Sequence, residues 1–311
     1  MPSSMTRHRL IVVLLFVSGG WLGVLPGRLP AQSPPKPALT LLETDDEEID
    51  IALEDKQPGA ATQDVYLPSN PTVATIGSNS FQRNPGLWTG PKVDLSAISA
   101  YSDKGDAYGT KFAITAISPL HCLGAAHCGA GIGTHYNFVG ADNVTVMRTV
   151  VASLNPVDDI EVYLLNQPLP PRVTPMRILP RNWYDYLPVN KVLDLPAIFI
   201  NQHNRLYLAE AQGVTPGADP LVVYHLPAGS LRQQFNTQII SGDSSFPEMV
   251  LVHNVPAILS LWHYAGYGSG PLEAAHYDAI NAAMKKLSQK FGSPDTYQLR
   301  PINLQGIAKM Q

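Results

Sequence analysis

A succession of short apolar runs constrains this chain more than any other feature. They span Phe112 to Ser118, Val144 to Val151, Ile160 to Leu165, Lys191 to Ile200, Leu221 to Leu226, Met249 to Val252 and Pro256 to Trp262, with proline, glycine and asparagine between them. Runs this short, bounded by turn residues, predict β-strands. The chain holds 28 prolines and 24 glycines in 311 residues, which points to many loops. It is long enough to bury a sizeable core. The pattern therefore predicts an all-β sandwich or barrel. Pro168, Pro170, Pro171 and Pro175 mark a crossing between two halves. One helix stands apart near the C-terminus. Pro271 suits its first turn, and Ile280, Met284, Leu287 and Phe291 recur at helical spacing. Lys285, Lys286 and Lys290 complement the negative end of its dipole, and Gly292 with Pro294 ends it.

The ends of the chain read differently. Residues 1–31 have the pattern of a signal peptide: Arg7, His8 and Arg9 precede a short apolar core, Leu10 to Val17, and Ala31 offers a small residue at a cleavage point. Gly19, Gly20 and Arg28 break the stretch too early for a span of ~20 apolar residues, so export is expected, with no stable membrane insertion after signal removal. Residues 32–84 read as a Pro-rich and acidic linker or pro-region, because Glu43, Asp45, Asp46, Glu47, Glu48, Asp50, Glu54 and Asp55 resemble a solvated, disordered block. Residues 293–311 read as a loose tail. A net charge of −4 supplies no electrostatic reason to expect a nucleic-acid partner.

Three stretches carry chemistry. Leu123-Gly124-Ala125-Ala126-His127-Cys128 ends a strand-like run with a histidine. Asp158-Asp159-Ile160-Glu161-Val162-Tyr163-Leu164-Leu165 opens a strand with an aspartate. Ile239-Ile240-Ser241-Gly242-Asp243-Ser244-Ser245-Phe246-Pro247 sets a serine in a turn between apolar runs. A serine hydroxyl needs a base, a group orienting that base and donors for an oxyanion, and such a set can be assembled from these stretches. In order and content they resemble the Ala-Ala-His-Cys, Asp-Ile-x-x-Leu and Gly-Asp-Ser-Gly-Gly-Pro motifs of the chymotrypsin/trypsin-like serine proteases.

That resemblance implies an all-β fold of two packed six-stranded antiparallel Greek-key barrels with a C-terminal helix packed on the second. The protease domain would cover 85–292, with a first barrel at about 90–170, a second at about 171–270 and the helix at 272–291. It implies His127 as general base, Asp159 as its orienting partner and Ser244 as nucleophile, with Asp158 the alternative aspartate. The backbone N–H groups of Gly242 and Ser244 would form the oxyanion hole. Ser260 would help hold the aspartate and line the substrate cleft, and Gln238 would lie at the base of the specificity pocket. The loop His263 to Gly268 would wall that pocket. Neither cofactor nor metal is implied, and the partner would be a protein or peptide substrate met by a secreted or periplasmic monomer. A non-catalytic binding or surface protein on the same scaffold is the alternative.

The chain also departs from the family. Ser245 and Phe246 replace two glycines, Gly124 stands where a threonine is usual, and no Ile-Val-Gly-Gly activation sequence occurs, which leaves Asp243 without an identified partner. Cys122 and Cys128 are the only cysteines. A disulfide requires a Cα separation below ~7 Å that this spacing does not assure, and two buried thiols are the preferred reading. The glycines at 129, 131 and 133 lack the Lys-Ser/Thr that a phosphate loop needs and read as a loop.

Overall fold

Turn residues divide the chain into many short antiparallel strands and few helices. A computed structural model describes residues 37–67, 81–102, 112–129, 131–157, 159–227, 229–264, 268–292 and 296–310. The expected signal segment, Asp158, Ala130 and the loop residues 265–267 lie outside the described residues. In chain order the elements are α1 (Leu41–Leu53), α2 (Ala60–Gln63), β1 (Tyr66–Leu67), β2 (Gln82–Arg83), β3 (Tyr101–Ser102), β4 (Thr115–Ala116), β5 (His121–Ala125), β6 (His135–Val139), β7 (Thr145–Val157) and β8 (Ile160–Leu165). There follow β9 (Arg177–Ile178), β10 (Leu195–Ile200), β11 (Leu206–Val214), β12 (Leu221–His225), α3 (Ser230–Gln234), β13 (Pro247–Val252), β14 (Val255–Leu261), β15 (Ser269–Pro271) and α4 (Tyr277–Lys290).

Two sheets dominate. The first has the order β3-β6-β7-β8-β5-β4, all antiparallel. It curls strongly: Ile98 bridges to Thr115 of β4, while Tyr101 and Ser102 of β3 pair with β6. The second has the order β15-β12-β11-β10-β13-β14-β9. β15 pairs with β12, and Leu272 just beyond it bridges back to Ser260 of β14. The molecule is thus mostly β, with a C-terminal helix. Aromatic packing fills the second sheet: Trp262, fully buried, lies 5.2 Å from the Phe199 ring and 4.8 Å from the Tyr224 ring.

Three expectations are corrected. The acidic block is not a disordered spacer but helix α1, because its residues meet the requirements of a docked helix. Thr40 caps it in a reciprocal box with Glu43. Leu41, Asp45, Ile49 and Leu53 recur every fourth residue, so they form one stripe, and all four are buried against β10 and β13. The acids have defined partners. Asp45 Oδ1 accepts the Leu251 N–H at 2.8 Å, Glu48 accepts from His253 and Asn254 in the turn between β13 and β14, and Arg232 pairs with Asp46 and Asp50 at 2.7 Å each. One acid inside the apolar stripe and many outside it concealed the helix.

The tail is not loose either. Leu299, Ile302 and Leu304 are buried, Pro301 bridges to Ile178, and the Ala308 N–H donates to Leu39 O at 2.7 Å. The C-terminal helix begins at Tyr277, after a 3₁₀ turn at Glu273–His276, and docks on β7 and β8 of the first sheet rather than on the second. Phe291 lies past its end and is exposed. A polar pin holds the helix: His121 Nδ1 bonds Ser118 Oγ at 2.9 Å and Nε2 bonds Ser288 Oγ at 3.1 Å. Burial pushes the His121 pKa down to about 4, so this pin is neutral at neutral pH.

Removing α1 should therefore destabilise the protein rather than liberate a folded domain. Its three buried aliphatic side chains contribute about 1.5–3 kcal/mol each, a large part of a typical stability of about 5–15 kcal/mol. A chain starting at residue 54 should lose its cooperative thermal transition or melt far below the longer chain by calorimetry.

Candidate active site

The pairing of β5 with β8 sets the first half of the site. Ala125 lies opposite Ile160, so the residues just past one strand meet those just before the other. The Ala126 N–H donates to Asp159 O at 2.6 Å. A 3₁₀ turn over Ala126–Cys128 follows, ended by Gly129 at φ 53. The His127 N–H donates to Asp159 Oδ1 at 2.7 Å, and His127 Nδ1 bonds Asp159 Oδ2. With Nδ1 facing the carboxylate, the aspartate favours the tautomer that leaves Nε2 free of its proton and able to accept another. The His127 side chain is 43% exposed and Asp159 only 20%, so the base is reachable and its partner shielded.

The serine turn comes from the second half. Gly242 takes φ 102, open to glycine, and the Asp243 N–H closes the turn onto Ile240 O. Asp243 is buried, and among the described residues it makes no ion pair. Its two oxygens instead accept the Gln202 and Ile240 N–H groups, each at 3.0 Å, and burial still raises its pKa. Among the described residues, neither the Gly242 nor the Ser244 N–H donates to another group.

Ser245 has a local reason to be serine. Its φ is 74, the left-handed conformation that glycine adopts more easily. The strain of about 1–2 kcal/mol is offset by a bond that glycine could not make: Ser245 Oγ accepts the Ala125 N–H at 2.7 Å. Ser245 N–H donates to Trp262 O, and Trp262 N–H to Phe246 O, each at 3.0 Å. The turn is thus fastened to β5 on one side and to the end of β14 on the other. Gly124 has a steric reason, since a Cβ there would lie 2.8 Å from Tyr163 Cε2.

Ser244 directly precedes Ser245, whose hydroxyl is bonded to the last residue of β5. Among the described residues, no hydrogen bond joins Ser244 Oγ to His127 Nε2. Cys122 and Cys128 are both free and buried. Burial pushes the Cys128 thiol up to about 11, so it is not a thiolate at neutral pH and does not act as nucleophile.

One expected substrate residue falls elsewhere. Ser260 is fully buried inside the second sheet, where it donates to Glu248 Oε2 at 2.5 Å and meets the Tyr224 hydroxyl at 2.8 Å. It touches neither Asp159 nor a cleft, because strand alternation turns it to the interior. The side chain that approaches the aspartate is His263, wholly buried, with Nδ1 3.0 Å from Asp159 Oδ2 and its ring edge-on to His127 at 5.8 Å. Sequence reading placed His263 only in the pocket wall, since nothing in a lone histidine after a strand signals an aspartate across the molecule. Gln238 is exposed, and so is Tyr264 of the expected pocket wall.

A scan against models of protein families finds no match to this chain, and a search of curated proteins finds no relative. Among the described residues, no helix is long and apolar enough to cross a membrane.

The fastening of the turn should be measurable. Ser245→Ala leaves the buried Ala125 N–H without an acceptor and should cost about 1–3 kcal/mol in denaturant unfolding. Ser245→Gly relieves the strain while losing the same bond and should cost less than the alanine. A second expectation concerns pH. Glu248 and Glu273 are fully buried, and loss of solvation holds their pKa values well above the usual range. The unfolded chain ionises them near pH ~4.3 while the folded protein retains the protons, so stability declines as pH rises from there toward the folded pKa values. Glu248→Gln should flatten the fall of Tm as pH rises above about 5. A Tm profile as steep as the unsubstituted protein's would refute this assignment.

Proposed function

We propose that this protein is an exported serine endopeptidase of the chymotrypsin-like type, acting through His127, Asp159 and Ser244. The observation that carries the reading is the bidentate grip of Asp159 on the His127 backbone and ring, met by a Gly-Asp-Ser turn from the other half of the chain. The fold reading is two barrels, antiparallel but for the pairing of β9 with β14. It is supported by the joining of both sheets back on themselves, through Ile98 and Thr115 in one and Ser260 and Leu272 in the other.

In this mechanism His127 Nε2 takes the Ser244 proton as Oγ attacks the scissile carbonyl carbon. The negative charge moves to the carbonyl oxygen, which accepts hydrogen bonds from the Gly242 and Ser244 N–H groups, each worth ~3 kcal/mol to the transition state. Asp159 stabilises the imidazolium. Collapse of the intermediate breaks the C–N bond, and His127 delivers its proton to the departing amine. Water then enters by the same route, with His127 as base, and releases Ser244. His263 is a positioning residue that holds Asp159 from behind.

No new N-terminus is required for this geometry, because backbone N–H groups already occupy both Asp243 oxygens. The same fact removes the nearest acid from any role in binding a basic side chain, and Gln238 carries no charge. Cleavage after Arg or Lys is therefore not expected, and a peptide library would show strong cutting after basic residues if the mapping were wrong.

The second reading is a binding protein on this scaffold, favoured by the missing bond between Ser244 and His127 among the described residues. A fluorophosphonate probe separates the two. The peptidase reading expects labelling of Ser244, none in Ser244→Ala, and a loss of turnover by about 10⁴–10⁶ in His127→Ala. His263→Ala should lose about a hundredfold in kcat with KM little changed, as misplacement of a catalytic group does. Absence of labelling in the folded, unsubstituted protein would favour the binding reading.

A further inference from the structure

The second sheet gathers three ligand-type side chains far along its strands from the serine turn. Glu210 on β11 lies directly opposite His225 on β12 in the ladder. Leu195 of β10 pairs with Ala211, which sets Asp194, the residue before β10, beside them. Each of the three offers a ligand atom, and all these atoms lie within 4.8 Å of one another.

The details favour a shared ion over a simple ion pair. His225 Nε2 is buried and has no hydrogen-bond partner. Asp194 Oδ1 lies 3.3 Å from it, close but without the alignment of a hydrogen bond. Two ligands on one tetrahedral ion with bonds of about 2.0–2.2 Å stand about 3.4 Å apart, which matches this separation. Glu210 is only 3% exposed, so its carboxylate is held away from water by the sheet. The Asp194 side chain is 58% exposed and leaves a way in.

We propose that Asp194, Glu210 and His225 form a zinc site that ties β10, β11 and β12 together. One imidazole and two carboxylates suit Zn²⁺, with water as fourth ligand, whereas Ca²⁺ takes 6–8 oxygen ligands. The sequence holds no contiguous metal motif such as Cys-x-x-Cys or His-Glu-x-x-His. Ligands contributed by three strands have no such motif, because register rather than spacing brings them together. The site is independent of the peptidase reading.

Calorimetric titration of chelator-treated full-length protein with ZnCl₂ tests it. One ion should bind per chain with micromolar or tighter affinity, and Co²⁺ should give the absorption of a tetrahedral N/O site. His225→Ala and Asp194→Asn should each weaken zinc binding by at least about a hundredfold, since even residues behind the ligands are typically worth 10–100-fold. His127→Ala and His253→Ala should bind as the unsubstituted protein does. Asp194 is exposed, so its variant remains informative if others fail to fold. No zinc uptake by ~100 μM, or uptake that survives Asp194→Asn but is lost in His127→Ala, would overturn the proposal.

Discussion

The hydroxyl of Ser245 is the constraint on which the site depends. It accepts the Ala125 N–H, the last residue of β5, and so fixes the serine turn against the strand that delivers His127. The backbone of the same residue is tied to Trp262 at the end of β14. A left-handed backbone position is normally left to glycine; here a serine holds it because its side chain supplies the bond between the halves. Strain in one residue is offset by satisfaction of a buried donor in another.

A second theme is the use of buried acids. Asp45, Asp243, Glu248 and Glu273 are all fully buried, and each has at least one hydrogen bond from a backbone or hydroxyl donor. Burial raises the pKa of every one of them, and the hydrogen bonds compensate their polar oxygens for lost water. The arrangement joins elements distant in sequence: α1 to β13, the serine turn to the start of the loop after β10, and β13 to β14. It also separates structural carboxylates from Asp159, which is partly exposed and bonded to His127.

Around Asp159 the two halves converge. β8 supplies the aspartate, β5 the histidine, and the residue after Trp262 a second imidazole. The second imidazole comes from a chain segment whose backbone already holds the serine turn. Positioning of the turn and of the aspartate are thus mechanically linked through Trp262 and His263, which are packed against Phe199, Tyr224 and His127.

The β-rich class, the terminal helix and the pairing of His127 with Asp159 could be read from the sequence because each has a local cause. Turn residues bound the strands, helical spacing marks α4, and the three motifs are contiguous. The same local logic failed where a local signal opposed the tertiary one. The acidic run over α1 reads as solvated until its fourth-residue stripe meets β10 and β13, and Leu299, Ile302 and Leu304 read as tail until they find the body. Ser260 and His263 are three residues apart on one run, and only the strand's alternation and the path of the chain decide which meets Asp159. What local sequence determined was thus the type of each element and the chemistry each could carry. Which side chains meet was left to the tertiary structure, because hydrogen bonds and burial between residues a hundred or more positions apart depend on register and packing, which no short stretch encodes.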